Sequence, residues 1–284
     1  MDNYLFVLLQ YLVPKRLISE LIGFFAKSQN HYIKTFFIRN FHKTYNVNMR
    51  EAVHEDLAFY PSFNSFFTRP LKPELRPIEK NIHSIISPAD GVVSQIGNIK
   101  SGKIIQAKGV HFNLLSFLGN DREYFQKFKE GVFCTIYLSP KDYHRVHMPI
   151  DGKLSQMVYI PGKLFSVNKI TSRNVKNLYS KNERLICFFD TVRGPMSVVL
   201  VGAMIVSGIT VQWEKDNCFN KGKMQKFIYP SIGKDSIFLK KGDEVGRFML
   251  GSTVVVCFGK NKVKWLNKIA ANSIVKMGQC VGKF

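Results

Sequence analysis

The chain has 284 residues, 45% hydrophobic and 21% charged, an ordinary globular composition, and a chain of this length can bury a core without disulfide staples. Lys and Arg outnumber Asp and Glu by 41 to 20, a formal balance of +21 that points to a polyanion, either nucleic acid or an anionic bilayer, without choosing between them. The five cysteines, Cys134, Cys187, Cys218, Cys257 and Cys280, are scattered and never form CxxC, so they read as small core residues in a reducing compartment rather than a zinc site or disulfide framework.

The first element is an apolar run over residues 4–13, about half the ~20 residues that span a bilayer. Only Asp2 and the terminal amine precede it, and no small-residue cleavage site follows, so it does not read as a signal peptide. Pro14, Lys15 and Arg16 interrupt it, and residues 17–25 then carry apolar side chains at helical spacing. Two short helices lying in a membrane interface fit this pattern, the alternative being helices packed on the protein's own core. A helix follows over 32–45, then an aromatic turn over 59–67, and Pro70 and Pro73 break regular structure.

Beyond residue 80 the texture changes. Runs at 131–139, 153–160, 184–190, 197–209 and 253–258 are rich in Val, Ile and Phe and bounded by Gly, Pro, Asp or Asn, the pattern of β-strands between turns. Strands do not alternate with long amphipathic helices, which argues against a doubly wound parallel sheet. The expected fold is α+β: a helical segment over 1–60, then a β-rich, sandwich- or barrel-like domain over 61–284. Lys240-Lys241-Gly242-Asp243 reads as a tight hairpin turn between two strands, and Lys260, Lys262 and Lys264 alternate as if along one strand face.

Four segments carry residues suited to chemistry. Ser87-Pro88-Ala89-Asp90-Gly91 is a turn whose Asp could cap its own backbone. In Pro140-Lys141-Asp142-Tyr143-His144-Arg145-Val146-His147-Met148-Pro149, two of seven histidines lie three apart; no third ligand completes a metal site, so acid–base work is the better functional reading. Pro161-Gly162-Lys163-Leu164-Phe165-Ser166 suggests a lining loop without specifying a reaction. Gly251-Ser252-Thr253 enters a strand, and glycine leaves its carbonyl open to the neighbouring hydroxyl. An N→O acyl shift there gives an ester; β-elimination then leaves dehydroalanine, which hydrolyses to a pyruvoyl group and ammonia, given a base and oxyanion stabilisation.

Taken in order, SPADG, KDYHRVHMPIDG, PGKLFSVN, NERLICFFDT and GRFMLGST, with FNSFFTRPL and QAKG upstream, resemble the pyruvoyl-dependent phosphatidylserine decarboxylase family in its bacterial membrane-associated form, over about residues 60–260. The resemblance implies decarboxylation of phosphatidylserine to phosphatidylethanolamine through a Schiff base to a pyruvoyl group made from Ser252. It implies self-cleavage between Gly251 and Ser252, with His147 taking the Ser252 proton and Asp90 holding the imidazole, a Ser-His-Asp set. It gives His144 to decarboxylation, Phe165 and Ser166 to the substrate pocket, and no metal. The large chain 1–251 and small chain 252–284 would remain a heterodimer, further dimerisation being open. The partner would be an anionic phospholipid membrane, not nucleic acid, met peripherally on the cytoplasmic side of the cell membrane. One departure is Lys163, a position often acidic in relatives. Competing readings are a non-enzymatic β-module that works by charge, a serine hydrolase lacking the GxSxG elbow, and pyruvoyl chemistry on a small amino acid.

Overall fold

The computed structural model describes residues 3–204, 208–214, 219, 222–249 and 251–284. Part of the 197–209 run, Cys218, and Leu250 of the GRFMLGST motif lie outside them. Pro14 separates helix α1 (Asn3–Leu12) from α2 (Lys15–Lys27). Helix α3 (His31–Tyr45) starts where Asn30 Oδ1 accepts from the Tyr32 and Ile33 amides at 3.0 and 3.3 Å, and it stops at Asn46, whose φ of 49° is left-handed. A short α4 (Phe63–Phe67) is capped by Ser62, and Ile38, Tyr60, Phe63, Phe66 and Phe67 close an aromatic core between α3 and α4. Helix α2 buries Lys15, Ser19, Gly23 and Ala26, its small and polar face, while Leu17, Leu21 and Phe24 are 59–72% exposed on the other. No helix among the described residues is long and apolar enough to cross a membrane.

The remainder is mostly antiparallel sheet, as the short β-rich runs predict, with short helices at Leu114–Phe117, Arg122–Phe128, Lys169–Asn174 and Leu178–Lys181 between strands. In chain order its principal strands are β1 (Gly91–Asn98), β2 (Val132–Leu138), β3 (Arg145–His147), β4 (Gly152–Ile160), β5 (Arg184–Thr191), β6 (Gly194–Val201), β7 (Ile209–Val211), β8 (Gln225–Ile228), β9 (Phe238–Leu239), β10 (Glu244–Phe248), β11 (Ser252–Phe258) and β12 (Ile274–Val275). The large sheet runs β8-β4-β5-β6-β11-β2-β1-β12, with β9 also on β4; a smaller one runs β7-β10-β3.

Strand β11 lies between β2 and β6 and is buried along its whole length. Val254, Val256 and Phe258 enter a core shared with Val146, Val245 and Phe248; Val255 and Cys257 enter a second core with Phe133, Phe188 and Val199. Burial on both faces explains why the run is continuously apolar rather than alternating. Each fully buried Val or Phe contributes about 1.5–3 kcal/mol, so β11 is seated by many independent contacts. Cys134, Cys187 and Cys257 are buried free thiols, and Cys280 is partly exposed and free.

Two expectations are corrected. Lys240–Asp243 is a turn, closed by the Asp243 amide on the Lys240 carbonyl at 2.9 Å with Gly242 at φ 90°, but it is not a hairpin. Its flanking strands pair elsewhere, β9 with β4 and β10 with β3 and β7, so the turn passes the chain between two sheets. Lys260 and Lys262 also lie off any strand: Asn261 has φ 57°, and the strand begins only at Lys264. They share no strand face because the chain is turning back at that point.

Candidate active site

Ser252 is the first residue of β11, paired with Leu138 at the end of β2. It is fully buried, and among the described residues its Oγ has no hydrogen-bond partner. Before it, Gly251 has φ 34°, and a Cβ there would meet nothing within 4 Å. The glycine is therefore required by its left-handed backbone and not by crowding. Gly251 also lines an apolar cavity of about 460 Å³ whose other walls include Phe36, Phe41, Phe63, Phe67 and Met204.

The loop leaving β2 brings up the histidines. It is folded by the Asp142 carboxylate, which accepts from the Ser139 amide at 2.7 Å, and by the Asp142 amide on the Ser139 carbonyl at 2.9 Å. His144 is wholly buried, its ring 4.1 Å from that of Phe67, and its carbonyl accepts from the Phe248 amide at 3.0 Å. Nδ1 lies 2.8 Å from the Asp142 carbonyl oxygen, which can only accept, so Nδ1 carries the proton and Nε2 is left as a buried lone pair without a partner among the described residues. Burial pushes the imidazole down to about 3, with the Asp142 carbonyl opposing the shift.

Because the folded value lies below the unfolded one, the unfolded chain binds more protons between roughly pH 3 and 6.5, and His144 makes stability fall as pH drops through that window. A His144→Gln variant is therefore expected to lose less stability than the parent between about pH 6.5 and 4.5. Urea midpoints across that range check it; parallel losses would refute it.

His147 ends β3. Its Nδ1 donates to the Gly242 carbonyl at 2.8 Å, its Nε2 faces the Tyr143 hydroxyl at 3.0 Å, and burial lowers its basicity. Its amide donates to the Pro88 carbonyl at 2.8 Å, and the Gly242 amide donates to the Met148 carbonyl at 2.9 Å. The SPADG turn, the histidine loop and the lysine-rich turn thus meet through main-chain bonds.

Asp90 is also buried, but its carboxylate is occupied differently from the expectation. It accepts from Arg76 Nε at 2.9 and 3.0 Å, from Arg76 Nη2, from the Met277 amide at 2.8 Å and from Lys276 Nζ at 3.5 Å. Arg76 Nη2 reaches Glu51 at 2.6 Å as well, and these acceptors hold the guanidinium more basic than usual against the cost of its burial. Among the described residues Asp90 makes no hydrogen bond to His147; the carbonyl of Gly242 sets the imidazole tautomer instead. A two-pronged guanidinium and a main-chain amide satisfy a buried carboxylate better than one ring N–H would.

Phe165 and Ser166 are buried or half-buried, but neither lines the cavity at Gly251. They anchor α1 and the start of α2: the Ser166 amide donates to Gln10 Oε1 at 3.0 Å, the Phe165 ring lies 5.0 Å from Tyr11, and Lys15 Nζ sits 4.5 Å over that ring. Sequence reasoning gave no part to Arg76, Tyr143, Gly242 or Arg69. Arg69 is 3% exposed, with Nη2 on the Lys141 carbonyl at 3.1 Å and with Nε and Nη1 unpartnered among the described residues; burial weakens its basicity. With Lys141, Lys276, Asp90 and Tyr143 it lines a polar cavity of about 200 Å³. Tyr143 and Arg69 lay within motifs already singled out, and Gly242 within the lysine-rich turn; Arg76 carried no separate signal.

Comparison with known proteins gives a consistent result. A family model described as phosphatidylserine decarboxylase matches residues 63–283, and a second, described as PSD, matches residues 5–46. The chain is similar to the phosphatidylserine decarboxylase proenzyme of Pseudomonas putida (strain GB-1), 49% identical over 283 residues that cover 100% of this chain and 99% of that one. It is also similar to the proteins of that name from Pseudomonas entomophila (strain L48), 50% identical over 98% of this chain and 97% of that one, and Pseudomonas fluorescens (strain SBW25), 49% identical over 98% of each.

Proposed function

We propose a residue-level route for a chain that belongs to the phosphatidylserine decarboxylase family: the precursor cuts itself between Gly251 and Ser252, and Ser252 becomes its pyruvoyl group. The protein is a proenzyme whose mature form is a carboxy-lyase, converting phosphatidylserine to phosphatidylethanolamine with a serine-derived pyruvoyl cofactor. The observation that carries the assignment to Ser252 is the junction itself: a buried, unpartnered hydroxyl follows a glycine with a left-handed backbone, beside an apolar cavity. Those features suit a group that must form from a serine side chain and then meet a lipid.

In the first stage the Ser252 proton passes to His147, Oγ attacks the Gly251 carbonyl carbon, and the resulting ester opens by β-elimination. Asp90 serves as a fixed negative charge held by Arg76, and Gly242 keeps His147 in the tautomer with its lone pair on Nε2. Once formed, the pyruvoyl group supplies an electron sink for the pair released as carbon dioxide leaves. His144, neutral and with Nε2 open, handles the substrate carboxylate or returns a proton to the substrate α-carbon. The apolar cavity suits an acyl chain, and Arg69, a desolvated cation in the neighbouring polar cavity, suits the anionic headgroup.

The outward face of α2 and the charge of +21 support peripheral contact with an anionic phospholipid membrane on its cytoplasmic side. After cleavage the two chains stay together as a heterodimer. Strand β11 sits between β2 and β6, Cys280–Lys283 pairs with Ser84–Ile86, and the Met277 amide bonds Asp90.

Intact-mass measurement on purified protein tests the central step. Two chains are expected, 1–251 and 252–284, the smaller beginning with a blocked, ketone-bearing residue; one uncut chain in an active preparation would end the proposal.

A further inference from the structure

We propose that Arg145 is a positioning residue for decarboxylation, holding His144 in its seat against the helical segment, an inference that rests on His144 acting in that step. Three consecutive residues at the end of α4 meet the histidine loop one by one. The Phe67 ring lies 4.1 Å from the His144 ring. The Thr68 carbonyl accepts from Arg145 Nε at 2.9 Å, and Arg69 Nη2 donates back to the Lys141 carbonyl at 3.1 Å. The two arginine bonds cross one seam in opposite directions, so each segment holds the main chain of the other. The ring contact and the Arg145 bond also join neighbours on both sides, Phe67 and Thr68 to His144 and Arg145. While that bond stands, the His144 ring has little freedom to leave Phe67.

An arginine suits this task better than a lysine. Arg145 Nη1 donates to Glu244 Oε2 at 3.0 Å while Nε holds Thr68, and Glu244 Oε1 accepts from Arg247 Nε at 2.8 Å. The Arg145 and Glu244 side chains are 17% and 14% exposed, so solvent weakens this pair less than a surface one. A planar guanidinium reaches both acceptors with nitrogens fixed relative to each other, whereas an ammonium is a single point donor. Thr68 caps the C-terminal end of α4, where main-chain carbonyls lack partners inside the helix, and Arg145 supplies one. Phe63 and Phe67 of that helix line the apolar cavity at Gly251 and pack in the aromatic core with α2 and α3. His144 is thus seated against a residue of the cavity wall. His147 is held separately, by the Gly242 and Pro88 carbonyls, so the seam bears on one histidine and not the other.

The test measures self-cleavage by intact mass, then kcat and KM for phosphatidylserine in mixed micelles, with kcat expressed per pyruvoyl group. Parent, Arg145→Lys, His144→Asn and the Arg145→Lys/His144→Asn pair are compared. Arg145→Lys is expected to be cut, to keep the parent KM and to lose about 10- to 10²-fold in kcat, as a misplaced group does. The pair is expected to be no slower than His144→Asn, because Arg145 acts through the histidine; a general loss of packing would multiply with it instead. If Arg145→Lys stays uncut, Phe67→Leu takes its place in the same cycle, with the same expected fall in kcat and the same absence of multiplication. Parent-like kcat or multiplying defects, in whichever of the two is used, would overturn the positioning role, as would an Arg145→Lys defect carried by KM alone. Normal turnover by His144→Asn would instead remove the reading of His144 itself, and the positioning role with it.

Discussion

Ser252→Ala is expected to leave the chain in one piece and to abolish decarboxylation, a loss of at least ~10⁶-fold, the low end of the acceleration enzymes provide. Two losses coincide in this variant. No hydroxyl remains to attack the Gly251 carbonyl, so the ester never forms, and no residue remains from which the ketone could arise. The fold should survive, because the Ser252 side chain makes no hydrogen bond among the described residues and the strand behind it is seated by Val254, Val255, Val256 and Phe258 in two cores. Removing a buried unpartnered hydroxyl costs little and can stabilise. Intact mass, a phosphatidylserine turnover assay and the thermal midpoint together check it. A cut or active Ser252→Ala protein would move the cofactor elsewhere in the chain.

His144→Ala is expected to separate the two stages: the chain is cut, but turnover by the mature protein falls by about 10²–10⁴-fold, the usual contribution of a positioned proton-transfer group. The physical basis is the contrast between the two imidazoles. His147 has both nitrogens engaged, by Gly242 and Tyr143, whereas His144 keeps a buried, open lone pair on Nε2. The alanine also removes a ring packed against Phe67, so His144→Asn serves as a second variant of smaller structural cost. If either variant stays uncut while folded, His144 belongs to self-cleavage; if either turns over normally, it has no part in decarboxylation.

Much of the architecture was legible because burial leaves a period in the residues. The apolar run at 253–258 has no polar alternation since β11 is covered on both faces, and the helix read over 32–45 is α3, whose Asn30 cap came only with the structure. The Lys240–Asp243 turn was legible as a turn and misread as a hairpin. Turn chemistry reports local backbone geometry, whereas the partners of β9 and β10 are set by which sheet each strand joins. The resemblance gave Phe165 and Ser166 to the substrate pocket, and no pattern along that loop says that α1 docks on them.

The sequence by itself determined the order of elements, and through its resemblance it pointed to the dipeptide Gly251-Ser252 as the place for a backbone rearrangement and to the distant residues Asp90, His144 and His147 as its company. A glycine, a hydroxyl and two imidazoles have functional meaning as residue types, and the order of the motifs that hold them carries the resemblance. Only the tertiary structure decided who touches whom. It paired Asp90 with Arg76 and Met277, gave His147 the Gly242 carbonyl and the Tyr143 hydroxyl, and left His144 and Ser252 with open polar atoms. The reason is that a hydrogen bond depends on positions to within a few tenths of an ångström. Those positions are set by the packing of strands far apart in the chain, which no local pattern of residues encodes.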